Sequence, residues 1–186
     1  MNSFHRRTCD NAYFEIKRAI RLEAIQHLSE VRVLDAFCGK GLLWKGVPID
    51  YYLGIDREKG KSKNCICGDN MKILASLDLS KFNVIDLDSY GVPAGQLLEV
   101  ADNKTLMAGT VVIFTAIEAA IANGQIRLFE ENGIKEEIYR KCPMLWNKKT
   151  LNLFYAILNR LCVRDVNLVV KDCGAYQKHY GYCVLK

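Results

Sequence analysis

The sequence predicts an α/β fold: a doubly wound, mostly parallel sheet of seven strands that ends in a C-terminal antiparallel hairpin. Three observations carry this. Between residues 30 and 120, short apolar strands alternate with helical segments, the order that builds a parallel sheet with helices on its faces. The first of these strands, Val31 to Leu34, ends in an acid, Asp35, and passes through Phe37 and Cys38 into two glycines, Gly39 and Gly41, ahead of Leu42, Leu43 and Trp44. A strand that ends in an acid and a glycine turn is how open α/β sheets make a nucleotide-sized crevice, and a side chain in that turn would hold a ligand off the backbone amides. Last, two apolar runs, 166–171 and 180–185, flank a loop rich in Gly, Tyr, Lys and His and lie close enough to pair as a hairpin.

At 186 residues the chain suits a single domain, 1–186, with a substantial core; residues 1–30 read as an N-terminal helical extension of it. Half the residues are hydrophobic and a quarter charged, as in ordinary globular proteins. No apolar run approaches the roughly 20 residues that span a bilayer, and no signal-like segment follows the N-terminus, so the expected compartment is the cytoplasm. The net charge of +5 divides into +2 over residues 1–32, −3 over 33–134 and +6 over 135–186. An acidic middle around the crevice and a basic last third fit a cationic cofactor and a polyanionic partner, with a merely solubilising surface as the alternative. The eight cysteines form no C-x-x-C pair and read as reduced, mostly buried small hydrophobes; no metal site is expected.

In chain order, residues 10–29 read as an amphipathic helix capped by Asp10, with Ile16, Ile20, Ala24 and Leu28 on one face; Arg6 and Arg7 precede it as solvated ends. A short helical piece follows the glycine turn and ends near Gly46-Val-Pro48, with Trp44 as core. The next strand, Tyr51 to Ile55, closes on Asp56, about twenty residues after the first, where such sheets place a carboxylate beside a ribose. A polar loop, 57–64, leads to a third strand, 64–68, which ends in Asp69-Asn70 before a helix through Leu77. Three consecutive strands thus finish acidic, at the ends where ligands bind.

The fourth strand, Phe82 to Asp88, continues into Ser89-Tyr90-Gly91-Val92-Pro93. Asp86 and Asp88 share one face of a strand that would normally bury both, so they stand at its wet end or are held for a task. Tyr90 beside Gly91 presents a ring on a tight turn at the same rim. Residues 93–103 read as a helix and 108–115 as a fifth strand. The stretch 123–148 has turns at Asn123-Gly124 and Asn132-Gly133 and a break at Cys142-Pro143. Residues 148–162 form a clear amphipathic helix with Leu151, Phe154, Tyr155, Leu158 and Leu161 on one face.

Five strand–helix units followed by a hairpin resemble the Rossmann-like class I S-adenosylmethionine-dependent methyltransferases. The opening stretch is similar to the Asp-x-Phe-Cys-Gly-x-Gly form of several RNA-modifying members. The resemblance implies S-adenosylmethionine as cofactor, with Asp35, Phe37, Cys38, Gly39 and Gly41 around its methionine part. It further implies Asp56 on the ribose and Asp69 and Asn70 at the adenine, with Asp86 also among the cofactor-binding residues. Asp86-Leu-Asp-Ser-Tyr-Gly91 is similar to the Asp-x-Asp-Pro-Phe/Tyr-Gly segment of the tRNA guanine-N2 dimethyltransferases and of other enzymes that methylate exocyclic amines of bases. Two departures stand out. Ser89 replaces the usual proline, and the chain has no room for the large additional domain of the tRNA enzymes, so the chemistry is carried over and tRNA is not.

That chemistry accounts for the residue types. A base amine is a poor nucleophile because its lone pair is delocalised into the ring. Asp88, accepting from the amine, and Tyr90, stacking on the base, would localise the pair and position it, with the base flipped out of any duplex. The expected substrate is a nucleic acid, RNA ahead of DNA, with a protein partner open. The alternatives are a small-molecule methyltransferase, a non-catalytic cofactor-binding subunit, and last a nicotinamide oxidoreductase, which lacks its third glycine here. His5, His27 and His179 have no recognisable nucleophile beside them, and Lys171, Tyr176, Lys178 and His179 are weaker candidates for a substrate rim.

Overall fold

A computed structural model describes residues 13–59, 63–118, 126–146, 149–162, 167–172 and 177–186. The proposed Asp10 cap, Arg6, Arg7, Cys9, the Asn123-Gly124 turn, Cys173 and Tyr176 lie outside the described residues. Helix α1 spans Phe14–Ile25, followed by β1 (Arg32–Asp35), β2 (Tyr51–Asp56), β3 (Cys65–Cys67) and α2 (Asn70–Ser76). Then come β4 (Val84–Asp88), α3 (Ala94–Asp102), β5 (Val111–Ile117), α4 (Ile126–Glu130), α5 (Glu136–Lys141), α6 (Thr150–Leu161), β6 (Asn167–Asp172) and β7 (Gln177–Val184). The strands form one seven-stranded sheet in the order β3-β2-β1-β4-β5-β7-β6. β1 to β5 run parallel, and β7 pairs antiparallel with both β5 and β6. The expected doubly wound sheet and terminal hairpin are both present. No helix among the described residues is long and apolar enough to cross a membrane.

Strand alternation divides the interior into two cores. Leu34, Ile85, Leu87, Val112, Phe114 and Ala116 face one side, where α3 and α6 cover them with Leu97, Val100, Phe154, Ile157 and Leu158. Val33, Val84, Val111, Ile113 and Tyr180 face the other, against Ile20, Ala24 and Ile25 of α1 and against Trp44 and Val47. By period two, Asp86 and Asp88 stand on the α1 side together with Val84. The same side receives Asp35, which pairs in register with Asp86.

The structure departs from expectation in three places. No helical piece follows the glycine turn; residues 36–47 are a chain of turns. Gly39, Gly41 and Gly46 all have positive φ (49°, 68° and 73°), which interrupts any helix, and α1 supplies the cover that such a helix would have given. β5 begins at Val111 rather than Ala108, because Gly109 (φ 86°) and the Thr110 N–H donating to the Met107 carbonyl make a turn there. Of the six described cysteines, Cys38, Cys162 and Cys183 are buried, while Cys67 and Cys142 are exposed. The helix breaker at Pro143 acts as expected, with α5 ending at Lys141.

Candidate functional site

In the order β3-β2-β1-β4-β5 the winding reverses between β1 and β4, and sheets of this kind bind ligands outside the strand ends at that switch. The glycine turn leaves β1 there and is tied to β2. The Cys38 N–H donates to the Ile55 carbonyl at 3.0 Å and the Gly39 N–H to Asp56 Oδ2 at 3.1 Å. Gly54 makes this closeness possible: a Cβ on it would fall 2.6 Å from both Cβ and Sγ of Cys38. Gly39 itself opens outward, since a Cβ there would meet nothing within 4 Å. A ligand can therefore lie against the backbone of the turn, which is the condition for a cofactor held by main-chain groups. Gly41 closes the turn by donating to the Cys38 carbonyl at 2.7 Å, and Phe37 packs against the larger core.

The acids at the strand ends do not share one setting. Asp56 also accepts from the Glu58 N–H at 2.8 Å, which fixes its plane and leaves further lone pairs on both oxygens. Asp69 caps α2 by accepting from the Met71 N–H at 2.9 Å and stands 3.4 Å from the Arg57 guanidinium. Asn70 is buried and turned inward, donating to the Ala36 carbonyl and accepting from Gln96.

Asp35, Asp86 and Asp88 come together on the α1 side. Asp35 accepts from the Phe37 N–H at 3.1 Å and from the Tyr52 hydroxyl at 3.0 Å. Asp86 is fully enclosed; its Oδ2 accepts from Arg21 Nε at 2.8 Å and from the Trp44 indole at 2.7 Å. Asp86 Oδ1 has no hydrogen-bond partner among the described residues. Asp88 accepts from Lys17 Nζ at 2.8 Å on each oxygen, and Arg21 lies 3.7 Å from its Oδ2. Neither Lys17 nor Arg21 stood out in the sequence. The available signal was their four-residue spacing on the helix that also carries Ile20 and Ala24. Trp44 is core as expected, and it also donates to Asp86.

The network sets the charge states. Burial, then the neighbouring Asp86, pushes the Asp35 carboxyl up to about 8, against the pull of Arg21. Burial likewise raises Asp86. Burial works to raise Asp88 too, but Arg21 and then Lys17 outweigh it and hold that carboxyl below its ordinary range.

Beyond Asp88 the chain turns outward. Ser89 is buried and its hydroxyl lies 3.2 Å from each of the Gly91 and Thr115 carbonyls, so a side-chain tether stiffens the turn. The Ser89 N–H also donates to the Leu87 carbonyl at 2.8 Å, a bond that proline would forfeit. Tyr90 is 61% exposed on this turn, and Gly91 (φ 115°) returns the chain. Beside the same strand ends, Lys178 lies over the Tyr13 ring on the α1 side, while His179 Nδ1 is 2.7 Å from the Tyr155 hydroxyl on the α6 side. The two residues therefore do not share a face. No group of three or more metal-ligating side chains occurs among the described residues.

No family model matches the chain, and no curated protein does. Solved structures do. A candidate methylase of Haemophilus influenzae superposes with a TM-score of 0.55 at 12% identity, covering 92% of this chain and 98% of that one. A SAM-dependent methyltransferase of Archaeoglobus fulgidus gives 0.52 at 16% identity, covering 92% and 94%. Trm1 of Pyrococcus horikoshii, in complex with S-adenosyl-L-methionine, gives 0.53 at 15% identity, covering 94% of this chain and 55% of Trm1. At such identities the likeness is one of fold. The chain has the Rossmann-like fold of the S-adenosylmethionine-dependent methyltransferases.

Proposed function

We propose that this chain is an S-adenosylmethionine-dependent N-methyltransferase acting on an exocyclic amine of a nucleic-acid base, RNA ahead of DNA. The observation that carries the reading is a juxtaposition at the β1/β4 switch. An outward-open glycine turn stands on one side, and on the other a carboxylate, Asp88, is followed by an exposed aromatic ring, Tyr90. The fold shared with SAM-bound Trm1 and with a SAM-dependent methyltransferase supports the choice of cofactor.

In this reading Phe37, Cys38, Gly39 and Gly41 receive the methionine part, Asp56 the ribose, and Asp69 with Asn70 border the adenine. When bound, S-adenosylmethionine supplies an electrophilic methyl on a sulfonium. Asp88 accepts a hydrogen bond from the base amine and concentrates its lone pair. Tyr90 stacks on the base and holds it in the crevice, an interaction worth about 1–3 kcal/mol per base. Asp86 acts from behind, anchoring Arg21. The basic final third of the chain is the expected seat of the polyanion.

A second reading, a cofactor-binding subunit that assists a partner, draws on one observation: both Asp88 oxygens already carry hydrogen bonds from Lys17. Transfer of labelled methyl to RNA, DNA and metabolite pools, followed by nucleoside digestion, separates the two. The proposed activity puts label on a base amine with wild type and none with Asp88→Ala. Binding of cofactor without transfer to any pool supports the assisting role.

A further inference from the structure

The N-terminal helix contributes more than cover. Lys17 and Arg21 lie one turn apart on α1, on the side that also buries Ile20, Ala24 and Ile25, and both reach acids at the end of β4. Arg21 is 2% exposed. As a means of fastening α1 to the sheet this is inefficient. Desolvating a guanidinium and carboxylates consumes most of their attraction, and apolar side chains of similar volume would hold the helix at least as well. Their effect on Asp88 is a better account. Lys17 Nζ sits 2.8 Å from each Asp88 oxygen, which fixes the plane of the carboxylate from one edge. A carboxylate has about four lone-pair positions, so beyond Lys17 and the Thr115 hydroxyl it keeps capacity to accept.

We infer that Lys17 and Arg21 are positioning residues for Asp88. They fix the plane of its carboxylate and keep it an anion, so that its remaining lone pairs can accept from the substrate amine. The inference rests on the reading of Asp88 as the acceptor of that amine. The groups that face Asp88 are Lys17 and Arg21 from α1, Asp86 from its own strand and the Thr115 hydroxyl from β5. The Tyr180 ring of β7 lies beneath Lys17, its centroid 6.0 Å from Nζ. Among these only the two cations favour the anion by charge. Without them a carboxyl this buried binds a proton far more readily, and the protonated form is a poor acceptor for an amine.

The test is the titration of Asp88 followed by NMR in protein labelled at the aspartate carboxyl carbons, for wild type, Lys17→Met and Lys17→Arg. Arg21→Met risks the fold, whereas Lys17 is partly exposed and its loss leaves Arg21 on Asp86. The expected result is an Asp88 midpoint about one pH unit or more higher in Lys17→Met, largely restored in Lys17→Arg. The acid limb of the rate of methyl transfer to RNA should move upward with it. An Asp88 midpoint unchanged by Lys17→Met overturns the inference. A midpoint that shifts as expected, while wild type transfers methyl to neither RNA nor DNA, upholds the coupling and rejects the transfer reading, so the two failures differ.

Discussion

Lys17 Nζ lies 2.8 Å from both carboxylate oxygens of Asp88, 71 residues further along the chain. One turn on, Arg21 binds Oδ2 of Asp86 and also lies 3.7 Å from Asp88, so α1 and β4 are joined by three ion pairs, the Arg21–Asp86 one enclosed. A buried pair contributes little when intact and costs much when halved.

Arg21→Met, which leaves Asp86 enclosed without its cation, should therefore lose about 3–5 kcal/mol, a fall in melting temperature of roughly 10 °C for a chain of this size. Arg21→Met combined with Asp86→Leu should recover most of that loss. Thermal unfolding of the two variants decides, and equal losses in both would show that the charges themselves are needed for folding.

Gly54→Ala should disturb the crevice from behind. The new Cβ meets the short, unyielding side chain of Cys38 at 2.6 Å, so the turn that carries Gly39 must shift. Overpacking of this kind costs about 1–3 kcal/mol. Calorimetric titration with S-adenosylmethionine should show at least a tenfold loss of affinity, on the order of 1.4 kcal/mol, beyond any change in unfolding temperature.

Tyr90→Ala should leave stability nearly untouched, within about 0.5 kcal/mol, because the ring is mostly exposed. Methyl transfer should fall about tenfold or more with the loss of stacking, and Tyr90→Phe should retain most of it. A drop in Tyr90→Phe as deep as in Tyr90→Ala would give the hydroxyl the role assigned to the ring.

The pH dependence of stability carries the mark of Asp35. Its folded-state value, about 8, lies above the ordinary 3.8, so the folded chain holds a proton that the unfolded chain has released. This contribution is complete below the ordinary value and is lost as pH rises to about 8. Asp88, held low, contributes in the opposite sense, present above its ordinary value and lost as pH falls. Asp35→Asn should flatten the decline between about pH 4 and 8 seen in denaturant unfolding of the wild type; an unaltered slope would place that proton elsewhere.

The strands at the switch were legible because each is a short apolar run stopped by an acid or a glycine, a pattern set by burial on both faces. The hairpin was legible from spacing alone. What escaped was the partner of each acid. Asp56, Asp86 and Asp88 look alike in sequence, yet one accepts from two backbone amides, one from Arg21 and Trp44, and one from Lys17. The last two pairings depend on where α1 lies against the sheet, which no local pattern encodes. The missing helix after Gly41 escaped for a related reason: Leu42, Leu43 and Trp44 suit a helix, but Trp44 is drawn inward to Asp86 and α1 already occupies that face.

The glycine turn and Asp56 are the proposed seat for S-adenosylmethionine. Calorimetric titration of wild type and Asp56→Ala with S-adenosylmethionine, and of wild type with NAD, tests it most directly. Binding of S-adenosylmethionine and not NAD is expected, with affinity lowered about tenfold or more in Asp56→Ala through loss of charge-assisted hydrogen bonds. Absence of heat with S-adenosylmethionine, binding of NAD in its stead, or undiminished affinity in Asp56→Ala would contradict it.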